Sequence, residues 1–252
     1  MSVRIDHIQR FPIKGLGPQV LKSITLKKGE GLANDRIFAL AHGKSKFNPI
    51  RPVGVSKNNF LMLARNAKLA KLKTVYDSTA THVTITLNGN ILTAANLHAT
   101  DDVRVLETII LGYLGREAAG SVKLVTAPRQ ILSDVCQPMI SLISLATVRL
   151  LSQNWGEQLD PLRFRGNLMF EGAEPWAEFD WVDRDLQIGD AILRVVKRTK
   201  RCAATTVNPE SAERDINVPK RLNRSFGHID CGVYATVRRG GNVVQGSRII
   251  LI

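Results

Sequence analysis

The chain has 252 residues, with 35 Lys and Arg against 22 Asp and Glu, and a formal net charge of +13. That length allows one large domain or two modest ones, and a substantial core without disulfides or structural metals. The apolar (44%) and charged (23%) fractions exclude a disordered chain, and three cysteines, at 136, 202 and 231, are too few for a disulfide framework, a zinc ribbon or a four-cysteine iron–sulfur ligand set.

Residues 1–7 hold no apolar run and no cleavage pattern, so no signal peptide is expected. Residues 3–8, 20–26 and 37–41 are short apolar or alternating runs divided by Gly and Pro, and predict strands of a small antiparallel unit. Residues 44–55, rich in Lys, Pro and Gly, predict a loop. Apolar positions within 59–73 have partly helical spacing. Residues 83–87 and the Asn88-Gly89 pair predict a hairpin. Thr100-Asp101-Asp102 predicts the capped start of a helix that runs to about Leu114 and is ended by Gly115. The most apolar stretch, 139–151, is interrupted by Arg149 and falls short of the roughly 18 residues that a membrane span needs. Ser144 precedes a helical pattern; at a helix start it is either an ordinary N-cap or part of a phosphate site. Beyond Leu162, short strands at 167–170, 191–196, 233–237, 242–244 and 248–252 are separated by glycines, which suggests a barrel. The expected fold class is mainly β with helices (α+β), in two packed parts at 1–95 and 96–252 with any ligand held between them. The expected location is the reducing cytoplasm.

The basic residues are spread along the chain and do not alternate with aromatics, as a single-strand nucleic-acid binder would require. Nucleic acid is therefore not the expected partner. The sharper signal is Arg201-Cys202-Ala203-Ala204-Thr205-Thr206-Val207-Asn208-Pro209, behind Lys197, Arg198 and Lys200. Cations near a cysteine favour its thiolate, the form that binds metals and attacks substrates. The hydroxyl and amide side chains that follow suit an anion. Against this stands the commoner role of a lone cysteine as an inert core residue. Cys136 and Cys231 are read as structural. The His228–Cys231 spacing lacks the further ligands of a metal set. No P-loop, Rossmann or nucleophile-elbow pattern appears.

The Arg-Cys segment resembles the signature of MOSC domains, the family named after the C-terminal part of molybdenum cofactor sulfurases. Further segments resemble the family in order. Phe11-Pro12-Ile13-Lys14-Gly15 and Gly31-Leu32-Ala33-Asn34-Asp35-Arg36 are similar to the N-terminal β-barrel region that accompanies MOSC domains. Phe164-Arg165-Gly166-Asn167 is similar to the Phe-Arg-x-Asn element, and Leu186-Gln187-Ile188-Gly189-Asp190 and Gly232-Val233-Tyr234-Ala235 to later strands. The resemblance implies a MOSC β-barrel with a smaller N-terminal barrel-like region. It implies a molybdenum–molybdopterin cofactor, with Cys202 as the metal ligand. By the same resemblance, Lys14, Arg36, Ser144, Arg165, Asn167 and Arg201 contact the pterin or its phosphate, and Tyr234 lies near the metal as the candidate proton donor. A soft thiolate suits a sulfur-rich metal centre. Three positions depart from the amidoxime-reducing members or from many relatives: Gly15 and Lys200 stand where the former have serine, and Asn34 where the latter have glycine.

The expected activity is reduction of a small N-oxygenated substrate. Electrons would come from a separate donor, a ferredoxin, flavoprotein or b-type cytochrome. No intrinsic iron–sulfur cluster, flavin or pyridoxal phosphate is expected, nor the ferredoxin domain fused to some relatives. Two alternatives stay open: a cofactor carrier or sulfur-transfer module with a persulfide on Cys202, and a basic nucleic-acid binder.

Overall fold

A computed structural model describes residues 2–48, 56–79, 81–126, 132 and 137–252. In chain order its regular elements are β1 (Arg4–Arg10), β2 (Gln19–Leu21), β3 (Ser23–Leu26), β4 (Phe38–His42), β5 (Leu72–Asp77), β6 (His82–Leu87), β7 (Asn90–Asn96), α1 (Thr100–Leu114) and β8 (Val122–Thr126). There follow β9 (Ile140–Ser144), α2 (Leu145–Trp155), β10 (Leu168–Glu171), β11 (Asp185–Ile188), β12 (Ala191–Lys200), α3 (Val218–Phe226), β13 (Asp230–Arg239), β14 (Gly241–Val244) and β15 (Ile249–Leu251). Strands dominate, with three α-helices among the described residues, as the α+β class requires.

The main sheet runs β15-β11-β12-β13-β9-β10-β1-β2, and its pairs are antiparallel except β9 with β10. It curls until its far side meets β1. Arg4 bridges Arg248, Ile5 N–H donates to Ser247 O (2.8 Å), and Ile249 N–H donates to Val3 O (2.9 Å). β1 thus has β10 on one side. On its other side it has β2 along its second half and the start of β15 along its first, which closes a barrel. Alternation puts Leu186 and Ile188 of β11 and Leu193 and Val195 of β12 inside, with Ile5, Leu142, Phe170 and Val233.

The run at 20–26 is not one strand: it breaks at Lys22, so that β2 pairs with β1 and β3 with β14. The N-terminal region therefore contributes β1, β2 and β3 to sheets shared with later strands, and strand pairing does not divide at residue 95. The β5-β6-β7 sheet, α1 and the β4–β8 pair enclose a second core around Leu69, Leu72, Ile85, Leu106 and Ile110. The Asn88-Gly89 turn has positive φ at both residues (52° and 83°), as a type I′ hairpin demands. Gly115 ends α1, but its start differs from expectation: Ala99 is the cap, without a side-chain hydrogen bond. Asp102 Oδ2 instead accepts from Asn96 N–H (3.0 Å).

The helical spacing in 59–73 does not become an α-helix. Only 3-10 turns form, at Lys57–Asn59 and Ala67–Lys71, and Leu72 already begins β5. Asn66 explains part of this, since its side chain accepts from Met62 N–H (3.1 Å) and donates to Glu117 O (2.8 Å). Such bonds compete with helix formation. Of the predicted loop at 44–55, residues 49–55 lie outside the described residues. α2 and α3 lie outside the barrel and share a third apolar cluster with Ile143, Phe164 and Cys231. No helix among the described residues is long and apolar enough to cross a membrane.

Candidate cofactor-binding site

A cavity of about 740 Å³ opens where the barrel meets the N-terminal unit. Nine cationic side chains and two carboxylates line it among the described residues. Lys14, Arg36, Arg165, Asn167, Arg201, Cys202 and Tyr234, named from the sequence, all take part in the lining. Ser144 does not: it is fully buried as the N-cap of α2, accepting from Thr147 N–H (3.2 Å). Ser141, on the same strand three residues earlier, lines the cavity in its place.

Cys202 follows directly on the last turn of chain out of β12. Arg201 N–H donates to Ile229 O (2.8 Å), and Cys202 O accepts from Thr205 N–H (3.0 Å) and Oγ1 (2.8 Å). These bonds fix the backbone in a 3-10 turn over Ala203–Thr206 and leave the thiol exposed. Cys231 is fully buried, and burial pushes its thiol up to about 12, so it stays protonated and inert. Cys136 lies outside the described residues.

Arg201 is itself buried and committed to the backbone. Its Nε (2.8 Å) and Nη2 donate to Cys231 O, and its Nη1 donates to Phe164 O (2.9 Å). Burial pulls this guanidinium below the ordinary arginine range, with Cys231, Tyr234, Cys202 and Glu178 opposing the fall. An arginine nonetheless remains a cation. Behind it stands Glu178, wholly buried, whose two oxygens each lie 3.2 Å from Thr147 Oγ1. Burial raises this carboxyl to about 7, although hydrogen bonds and Arg201 pull it down.

Arg36 and Arg165 share one platform. Their guanidinium carbons lie 4.8 and 4.1 Å from the centre of the buried Phe11 ring. Asp35 holds Arg36 by an ion pair and accepts from Phe11 N–H (2.7 Å), and Arg36 Nη2 donates to Arg165 O (3.3 Å). Two guanidinium forks over one ring suit an oxyanion. Lys14 Nζ donates to Leu132 O (3.0 Å) close by.

Arg165 and Asn167 do not alternate along a strand as the sequence suggested. Arg165 closes the 3-10 turn Pro161–Phe164 with φ 50°, and β10 begins only at Leu168. The turn, not strand alternation, brings both to the cavity. Asn167 is almost fully used by the fold: its Oδ1 accepts from Ser141 N–H (3.1 Å) and Oγ (2.8 Å), and its Nδ2 donates to Gln9 O (3.4 Å). It locks β9, β10 and β1 together.

Ser141, Thr199 and Arg163 are among the lining residues missed from the sequence. Ser141 and Thr199 carried no motif. Arg163, 3% exposed and ion-paired with Asp215 (2.6 Å), lay outside every motif as well. Among the described residues no group of three His, Cys, Asp or Glu side chains is arranged to hold a metal ion.

The family model for the MOSC domain matches residues 128–250. The human mitochondrial amidoxime-reducing component 1 is 24% identical over 123 residues, which is 44% of this chain and 36% of that protein. The chain thus matches only about a third of the length of this curated relative. Among solved structures, the YUAD protein of Bacillus subtilis aligns over 100% of this chain and 96% of its own, at 12% identity and a TM-score of 0.46. YiiM of Geobacillus stearothermophilus aligns over 45% of this chain and 53% of its own, at 17% identity and a TM-score of 0.36. Across residues 128–250 the chain is therefore similar to MOSC domains.

Proposed function

We propose that the chain binds a molybdenum–molybdopterin cofactor in this cavity and reduces small N-oxygenated molecules. One observation carries the reading: an exposed thiol stands in the wall of a large cavity whose lining is strongly cationic. Two buried donors on lining residues, Thr199 Oγ1 and Arg163 Nε, have no partner among the described residues, and the same holds for the acceptor Asp230 Oδ1. Buried donors rarely go unmatched, so the residues fit a large anionic ligand. The MOSC match and the relative named for amidoxime reduction support the same assignment.

Cys202 would supply the protein's ligand to the metal. Arg36, Arg165 and Lys14 would neutralise the phosphate, and Ser141 and Arg163 would face the pterin. Asn167 and Arg201, held by backbone partners, would position strands and the Cys202 turn more than grip the cofactor. When bound, the cofactor supplies two-electron chemistry. In the net reaction the substrate's N–O bond is replaced by N–H and its oxygen leaves as water, with two protons and two electrons taken up. Tyr234 is the candidate source of a proton. The electrons come from a separate ferredoxin, flavoprotein or b-type cytochrome.

The test is to purify the protein from a host that makes the cofactor, measure molybdenum and pterin per chain, and assay N-hydroxylated bases and amidoximes with reduced viologen. Stoichiometric metal and pterin with substrate reduction are expected. Protein with a persulfide on Cys202 and no metal would overturn this reading in favour of sulfur transfer. Loaded protein that reduces nothing would make it a carrier.

A further inference from the structure

Four consecutive residues at the end of β12, Lys197, Arg198, Thr199 and Lys200, all line the cavity. A regular strand cannot do this, because successive side chains point to opposite faces. β12 does it with register shifts against β13 between Val195 and Lys197 and again between Arg198 and Lys200. Such bulges re-aim side chains. Lys197, Arg198 and Lys200 are exposed, and among the described residues no carboxylate forms an ion pair with them. Arg198 is instead seated on the Phe179 ring, 4.2 Å from its centre. Between these cations Thr199 is 2% exposed, with its hydroxyl unpartnered. One carboxylate opposes them: Asp230, paired with Lys200 in register, whose buried Oδ1 also lacks a partner.

This set is distinct from Lys14, Arg36 and Arg165, which come from other segments of the chain and of which the two arginines stack on Phe11. A cofactor phosphate neutralised there leaves the β12 cations available, two residues from the Cys202 thiol. We propose that they form a substrate subsite that selects N-oxygenated molecules carrying a carboxylate or a phosphate. The proposal rests on the reductase reading and names its substrate class. The anion would accept from the lysines, Arg198 and the Thr199 hydroxyl.

The experiment uses cofactor-loaded protein and reduced viologen, so that no protein donor takes part. It compares kcat/KM for benzamidoxime with 4-carboxybenzamidoxime, and for N4-hydroxycytidine with its 5′-monophosphate. The two pairs separate carboxylate from phosphate recognition. Charge-assisted hydrogen bonds predict a preference of about tenfold or more for the charged member of at least one pair. That preference should shrink with added salt. It should approach unity in Lys197→Gln/Lys200→Gln and persist in Lys28→Gln. Calorimetry of 4-carboxybenzamidoxime and of the 5′-monophosphate gives a readout independent of turnover, with circular dichroism to confirm folding. Equal kcat/KM within both pairs would overturn the subsite, as would a preference unmoved by the double variant. So would a double variant impaired only when a ferredoxin replaces viologen, since the cations would then serve the donor. Loaded protein that reduces neither member of either pair would overturn the reductase reading itself, and calorimetry would still decide whether β12 holds the anion.

Discussion

Glu178 is a carboxyl group sealed in the 3-10 turn Ala177–Trp181, with Thr147, the Gly232 amide, Arg201 and the Cys231 thiol around it. Burial outweighs the hydrogen bonds and the Arg201 charge and raises it from its ordinary 4.5 to about 7. Between these values the unfolded chain has lost the proton and the folded chain still holds it. The stabilisation is therefore fully present below about pH 4.5, falls as pH rises through about 7, and stays lost above that. The displacement corresponds to about 3 kcal/mol at alkaline pH. Glu178→Gln keeps the size and hydrogen-bonding capacity of the acid form and removes the titration. Urea unfolding of both proteins between pH 5 and 8.5 measures the effect. The stability of Glu178→Gln relative to the parent should rise by about 2.5 kcal/mol across that range, mostly between pH 5 and 7. A difference that stays flat with pH would refute the reasoning, because it would mean that Glu178 ionises alike in both states.

Cys202→Ser replaces a soft ligand with a hard one and should abolish molybdenum retention while leaving the fold, whereas Cys231→Ala should keep the metal; equal metal content in the two variants, measured by elemental analysis, would sink the ligand assignment. Arg36→Ala or Arg165→Ala should each weaken retention of the pterin about tenfold to a hundredfold in dialysis, from the loss of one charge-assisted contact, while the exposed Lys68→Ala should not. Gly232 has φ 74°, and a Cβ there would lie 2.4 Å from Leu142 O and 2.5 Å from Ile143 Cδ1. Gly232→Ala should therefore cost roughly 2–4 kcal/mol in chemical denaturation and disturb the Arg201–Cys231 contact beside it.

Legibility in the sequence followed the range of the physical interaction. The Asn88-Gly89 hairpin and the end of α1 at Gly115 rest on local backbone chemistry, and both stand where the residues predicted. Residues 59–73 failed because Asn66 redirects the chain through contacts to Met62 and Glu117, the latter 51 residues away. α3 left no helical pattern in the sequence, since Val218 and Leu222 are its only buried residues. The cavity residues were found through motif likeness, and seven of the eight line it. Ser144 fell outside because a one-residue motif match cannot tell an N-cap from a cavity wall. Glu178 and Thr199 were invisible for a related reason: their significance comes from burial beside Arg201 and from bulges in β12, neither of which leaves a local pattern.

Closure of the barrel by β1 bears on where this protein can be cut. The MOSC match starts at residue 128, yet Arg4–Arg10 lies between β10 and the start of β15, and β3 partners β14. A truncation at the limits of the match would strip one side of β10, of β15 and of β14 at once. Open strand borders of that kind recruit further strands and lead to aggregation. The same cut would remove Lys14, Arg36 and the Phe11 ring from the cavity. The stretch that likeness marks is thus shorter than the piece that folds, and the intact chain is the smallest sensible object for crystallisation or mutagenesis.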